Sequence, residues 1–155
     1  MTDRSYIARY DASRERLRAL ATTLSAADLA RDAGDGWTVG ALLAHAALWD
    51  RMVARRWTGA LAAGLGAPVG IPDFMADLVN DAELPTWRAI PGATSLAQAI
   101  EAAETVDALV AALPDANVDA AMEAGLNRVL DRSLHRNDHF GVIDRALGSG
   151  GPTAS

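Results

Sequence analysis

The sequence predicts an all-α protein: a bundle of four main helices, with a short extra helix in the long connection between the second and the third. Three observations lead there. Apolar residues recur at helical spacing in four separate segments of the chain. Alanine is abundant while aromatic residues make up only 5% of the chain, a composition that favours helix over sheet. No segment shows the alternation of a convincing strand, and no internal repeat is visible. With 155 residues, half of them apolar, the chain can bury a real core. Residues 1–148 read as one bundle domain and 149–155, "SGGPTAS", as a disordered tail.

The first helix is expected near 5–23, where Ile7, Tyr10, Leu17 and Leu20 form a stripe between charged residues. Arg4, Arg14 and Arg18 then fall on a solvated face. "LSAADLARDAGDG" interrupts it; Ser25 can cap a short turn, and Gly34 and Gly36 close the segment. The second helix, near 38–57, starts from Thr38 as N-cap, with Ala41 where a capping-box acid would stand. Leu42, Leu43, Ala46, Trp49, Met52 and Val53 give it a broad apolar stripe. "TGALAAGLGAPVGIP" reads as a long connection, 73–83 as the short helix, and "PTWRAIPGAT" as another loop. A capping box of Ser95 and Gln98 opens the third helix, near 95–113, which ends before Pro114. The fourth is expected near 120–147, with Gly148 terminating it.

Composition also narrows the chemistry. The chain has no Cys, and all its basic residues are Arg. Disulfides, thiolate–zinc sites, a cysteine nucleophile and a lysine Schiff base are therefore excluded. A net charge of −6 argues against nucleic acid as the main partner. The near-apolar run "VGALLAHAALW" is too short to span a bilayer and ends at Asp50. The charged first residues do not resemble a signal peptide, so a cytoplasmic location is expected.

The chain has three histidines. His135 and His139 stand four apart in a helical run, so both imidazoles can aim at one point. His45 lies on the second helix between Leu42 and Trp49 on its own face, directed toward the core. Two readings stay open from the residues alone. The histidines could be hydrogen-bonded core residues, or a bundle could bring all three together around a divalent metal.

Around these histidines, "GWTVGALLAHAALWDRMVARRW" resembles the W-[ST]-x-x-x-x-x-x-H segment of the DinB/YfiT-like family, matched by Trp37, Thr38 and His45, with the acid Asp50 following. "LHRNDHFGVIDRAL" is similar to that family's closing H-x-x-x-H-x-G-x-I helix, matched by His135, His139, Gly141 and Ile143. The resemblance implies a four-helix bundle whose three motif histidines bind a divalent metal, often zinc or nickel; carried over, the ligands are His45, His135 and His139. It also implies a homodimer. Some branches, such as the mycothiol-dependent maleylpyruvate isomerases, use the metal to bind a low-molecular-weight thiol. The likeness to those isomerases extends only over their bundle, so isomerase activity itself is not expected.

Three neutral imidazoles would leave a metal its charge and an open position, the layout of a catalytic site. That position suits water or an external thiol. With no cysteine in the chain, a sulfur nucleophile must come from a cofactor. The leading expectation is thus a metal-dependent enzyme acting on a small electrophile by thiol transfer. Hydrolysis by metal hydroxide and non-catalytic binding of a metal or small ligand are the alternatives. Trp49 could line a pocket or fill the core. Arg132 could orient an anionic substrate or sit in solvent. Asp131 and Asp138 could hold an imidazole tautomer from behind or remain on the surface. Asn80 could lie over the site if the short helix crosses the bundle mouth.

Overall fold

The computed structural model describes residues 1–148; the tail expected at 149–155 lies outside the described residues. The chain runs α1 (Tyr6–Thr23), α2 (Ala26–Leu29), β1 (Asp32–Gly34), β2 (Trp37–Thr38), α3 (Val39–Ala62), α4 (Asp73–Ala89), α5 (Gly92–Ala111), α6 (Asp115–Glu123), α7 (Asn127–Leu130) and α8 (Ser133–Leu147). Helix α3 packs along α5, α1 lies against both α5 and α8, and α8 returns to α3, so these four close the bundle. No helix among the described residues is long and apolar enough to cross a membrane.

Local signals place several boundaries. Ser25 and Asp28 form a reciprocal capping box at α2, and the Thr38 side chain accepts from the Ala41 N–H at the start of α3. Gly148, at φ +73°, ends α8 in the left-handed conformation that glycine adopts without steric cost.

Four expectations need correction. The first concerns the absence of strands: "DAGDGWT" forms a two-stranded antiparallel hairpin, with Asp32 opposite Thr38 and Gly34 opposite Trp37. Its turn carries positive φ at Gly34, Asp35 and Gly36 in succession. Only the glycines relieve a bend of that hand, and two strand residues are too few to show a period of two.

The second concerns α4, which continues through Pro85 to Ala89 instead of stopping near 83. A proline inside a helix costs about 3 kcal/mol or more. Two residues on, Trp87 is buried against Ala41 and Ala44 of α3. Burying some 150–250 Å² of a large aromatic offsets the loss, at about 25 cal/mol per Å².

The third concerns Ser95. Helix α5 begins earlier, at Gly92 after Pro91, so Ser95 does not cap it; the serine is fully buried and its Oγ has no partner. The early start depends on close approach at Gly92. A Cβ there would stand 2.5 Å from the Leu29 Cβ, and one at Gly40 would stand 3.2 Å from the Gly92 Cα. Gly92→Ala is therefore expected to cost about 1–3 kcal/mol, because Leu29 must be displaced from the core. Chemical denaturation of the two proteins checks this, and an unchanged midpoint would contradict it.

The fourth concerns the last helix, which is not one rod over 120–147 but α6, α7 and α8. Gly125, at φ +70°, turns the chain after α6. At the second break Asp131 leaves helical geometry and its carboxylate accepts from both the backbone N–H and the hydroxyl of Ser133. These short-range competitors end one helix and start the next.

The core is divided along the bundle axis. One apolar cluster includes Leu17, Leu43, Leu96 and Phe140; the other includes Tyr10, Trp57, Val110 and Leu130. Near the junction of the two clusters each main helix carries a buried polar residue: Ser13 on α1, Asp50 on α3, Asp107 on α5 and Arg136 on α8. The Arg136 guanidinium donates to Asp50 Oδ2 at 2.9 and 3.0 Å, to Asp107 at 2.8 and 2.9 Å and to Ser13 Oγ at 3.2 Å. Arg14, expected on the solvated face, reaches into this layer and pairs with Asp107 at 3.0 Å. Arg4 and Arg18 pair instead with Asp115 and Glu104, tying α1 to the elements beside it.

Candidate metal centre

His45 sits in the second turn of α3, behind the Thr38 cap, on the helix's most buried stretch. Its ring is enclosed by Trp37 of β2 and Trp87 of α4, at centroid distances of 5.3 and 5.1 Å, both edge-on. Helix α8 presents His135 and His139 from the facing side, one turn apart. The Nε2 atoms meet: His135 Nε2 is 3.1 Å from His45 Nε2 and 3.0 Å from His139 Nε2. One nitrogen of each ring lies within 4.8 Å of the other two, so the group could hold a metal ion.

Metal–imidazole bonds of about 2.0–2.1 Å require donor nitrogens about 2.9–3.4 Å apart at ordinary coordination angles. The two measured separations fall in that range. Electrostatics fits as well. Burial foremost, with the neighbouring His139 and Arg132 adding to it, lowers the His45 pKa to about 3, against a small upward pull from Asn80. Burial likewise lowers His139 to about 4, with Asp138 opposing. His135 is pushed well below its usual value by burial and then by Arg132. All three rings are neutral at pH 7, the state that offers a lone pair to a cation.

This has a measurable consequence in the chelator-treated protein. An unfolded histidine takes up a proton near pH 6.5, whereas folded His45 and His139 resist until about pH 3–4 and His135 is held well below its usual value. Below pH 6.5 the unfolded state thus binds more protons, and stability falls with falling pH. The histidine contribution is fully present above pH 6.5 and is lost progressively toward pH 4, at up to about 1.4 kcal/mol per pH unit for each ring. Urea titrations between pH 7.5 and 4.5 measure it; a flat profile would contradict the neutral cluster.

The other residues singled out from the sequence divide into two groups. Trp49 and Asn80 come together at the site: Trp49 Nε1–H donates to Asn80 Oδ1 at 3.0 Å, and both line a cavity of about 720 Å³ that opens onto the histidines. Helix α4 thus borders the cavity through Ala76 and Asn80. Arg132 is buried rather than solvated. It donates to Asp50 Oδ1 at 2.8 Å, to the Arg128 carbonyl at 2.8 Å and to His135 Nδ1 at 3.2 Å. A guanidinium can only donate, so His135 Nδ1 accepts and the neutral ring carries its proton on Nε2; an ion held at Nε2 would require that proton to move to Nδ1 and the Arg132 contact to be released. Asp131 and Asp138 touch no imidazole. Asp131 is held by Arg9 at 2.8 Å and by Ser133, and Asp138 pairs on the surface with Arg128 at 3.1 Å.

Sequence reasoning missed two features of the site. Trp87 falls in "PTWRAIPGAT", which the sequence alone marks as a loop. The chain from Arg132 through Asp50 to Arg136 and Asp107, which anchors the histidine helix to α3 and α5, was also unseen. Its signal was present: Asp50 and Asp107 interrupt apolar stripes, Ala46–Asp50–Val53 and Ala103–Asp107–Val110, at core spacing.

Comparison with curated proteins and with solved structures finds no match. The sequence profile of the DinB superfamily matches residues 9–140, a span that contains all three histidines and every main helix in whole or in large part. The chain belongs to the DinB superfamily.

Proposed function

We propose that this protein is a divalent-metal-dependent enzyme whose ion, zinc or nickel, is held by His45, His135 and His139, and that it transfers a low-molecular-weight thiol to a small electrophile. The observation that carries the reading is the convergence of three uncharged imidazoles at the wall of an open cavity. Bound there, the ion supplies positive charge that favours the thiolate form of an incoming thiol. The sulfur forms a bond to the electrophilic carbon as the leaving group departs with the bonding pair, and the thiol proton passes to solvent. The chain's own part is positional. The Trp37 and Trp87 rings pack edge-on against His45 and hold its ring in place. Trp49 and Asn80 shape the cavity wall.

The reading takes the protein as cytoplasmic and homodimeric. The apolar side chains of Phe74, Met75 and Leu78, exposed on α4, support association, which light scattering measures. The functional experiment is elemental analysis of untagged protein, followed by turnover of an alkylating electrophile with and without added thiol. Metal at one equivalent and thiol-dependent turnover are expected. Turnover without thiol would replace transfer by hydrolysis, and metal without turnover would leave a binding protein.

A further inference from the structure

The cavity beside the histidines has a second end. Along α3 its wall is formed by His45, Trp49, Val53 and Arg56, spaced four, four and three residues apart on one helical face. Eleven residues at 1.5 Å each separate the backbones of His45 and Arg56 by about 16 Å. Helical side chains lean toward the helix N-terminus, which shortens the gap between the Arg56 and His45 side chains relative to their backbones.

The charges lining this space do not balance. Three guanidiniums, of Arg56, Arg128 and Arg132, face it with one carboxylate, Asp138. Asp138 is occupied by Arg128, and Arg132 is compensated by Asp50. Among the described residues Arg56 has no acidic partner. It makes one hydrogen bond, to the Val69 carbonyl of the segment covering the cavity, and its Nε is enclosed with nothing to donate to. Burial, reinforced by the charge of Arg132, lowers its pKa, as expected for a cation held without a counter-charge. A cation held without a counter-charge gains from pairing with an entering anion. The net charge of −6 lies on the protein as a whole, so this cavity is a local exception.

We infer that the cavity takes an elongated small molecule with a carboxylate at one end, held by Arg56, and its reactive end at the histidine cluster. The inference rests on the reading of that cluster as a metal site for the reactive end only; the carboxylate end stands on Arg56 itself. Val53, Leu126, Val129 and Ile71 line the space and suit an uncharged middle. The wall is too long for the two ends of a very short molecule to be satisfied together.

The test compares an acid with its neutral counterpart. By calorimetry, zinc-loaded wild type is expected to bind 8-mercaptooctanoate about tenfold or more tighter than 8-mercaptooctan-1-ol. Arg56→Gln should erase that preference, and Arg56→Lys should keep part of it, with circular dichroism confirming equal helix content. Equal binding of acid and alcohol by wild type would overturn the inference, as would a preference that survives in Arg56→Gln. A second arm uses chelator-treated protein with octanoate and octan-1-ol, where the same dependence on Arg56 is expected. If zinc fails to bind, the metal reading falls, while this arm still decides the carboxylate site: loss of the octanoate preference in Arg56→Gln upholds it and no preference in wild type removes it.

Discussion

Replacing Arg136 by Leu is expected to destabilise the protein by about 3–5 kcal/mol, the cost of leaving buried charges without their partner. Its guanidinium is 1% exposed and serves two carboxylates at once, Asp50 and Asp107, themselves 1% exposed. Asp50 would keep Arg132, and Asp107 would keep only the half-buried Arg14. Burial already raises the Asp107 pKa despite Arg136 and Arg14 beside it, so without Arg136 its charge is harder still to sustain. Domains of this size have about 5–15 kcal/mol in total, and the melting temperature should fall by about 10 °C or more. The double variant Arg136→Leu/Asp107→Leu should recover much of the loss, because it removes donor and acceptor together. Thermal melts of the three proteins check both statements. A double variant no better than the single one would mean that the layer acts through packing rather than charge.

His135→Ala should weaken zinc or nickel binding by more than about a hundredfold while leaving the fold in place. Loss of a mere partner behind a ligand costs about 10–100-fold, and His135 is the ring whose Nε2 lies within 3.1 Å of both others. Alanine leaves His45 and His139 with no donor between them. The fold should survive because the two apolar clusters and the Arg136 layer, not the cluster of rings, join the helices. Calorimetric titration of either ion into both proteins, with circular dichroism alongside, gives the answer. The metal-loaded wild type should exceed the variant in stability only by the linkage due to bound ion. Undiminished affinity would remove His135 from the site, and collapse of the helical signal would make the cluster structural.

Much of the site was readable because it is built on regular helix. His135 and His139, four residues apart, had to share a face once α8 formed. The caps at Ser25 and Thr38 and the stop at Gly148 were readable for the same reason: each depends on groups within four residues of itself. Asn80 and Trp49 could be suspected but not joined, since their 3.0 Å hydrogen bond links two helices across 31 residues. Arg132 and Asp131 were harder. Both lie next to the histidine helix in sequence, and which one faces an imidazole depends on the break between α7 and α8.

By itself, then, the sequence determined the helical class, the starts of α1, α3 and α4, the one-sided pair on α8 and the absence of cysteine and lysine nucleophiles. All of these follow from period, capping and composition, which act over a few residues. Only the tertiary structure decided that His45 meets that pair across 90 residues. The same holds for the continuation of α4 through Pro85 to bury Trp87, for α5 starting at Gly92 and leaving Ser95 uncapped, and for Asp50, Asp107 and Arg136 closing one buried network. In each case a local preference worth one to a few kcal/mol was outweighed, or a buried charge was tolerated, by contacts that exist only after the helices pack.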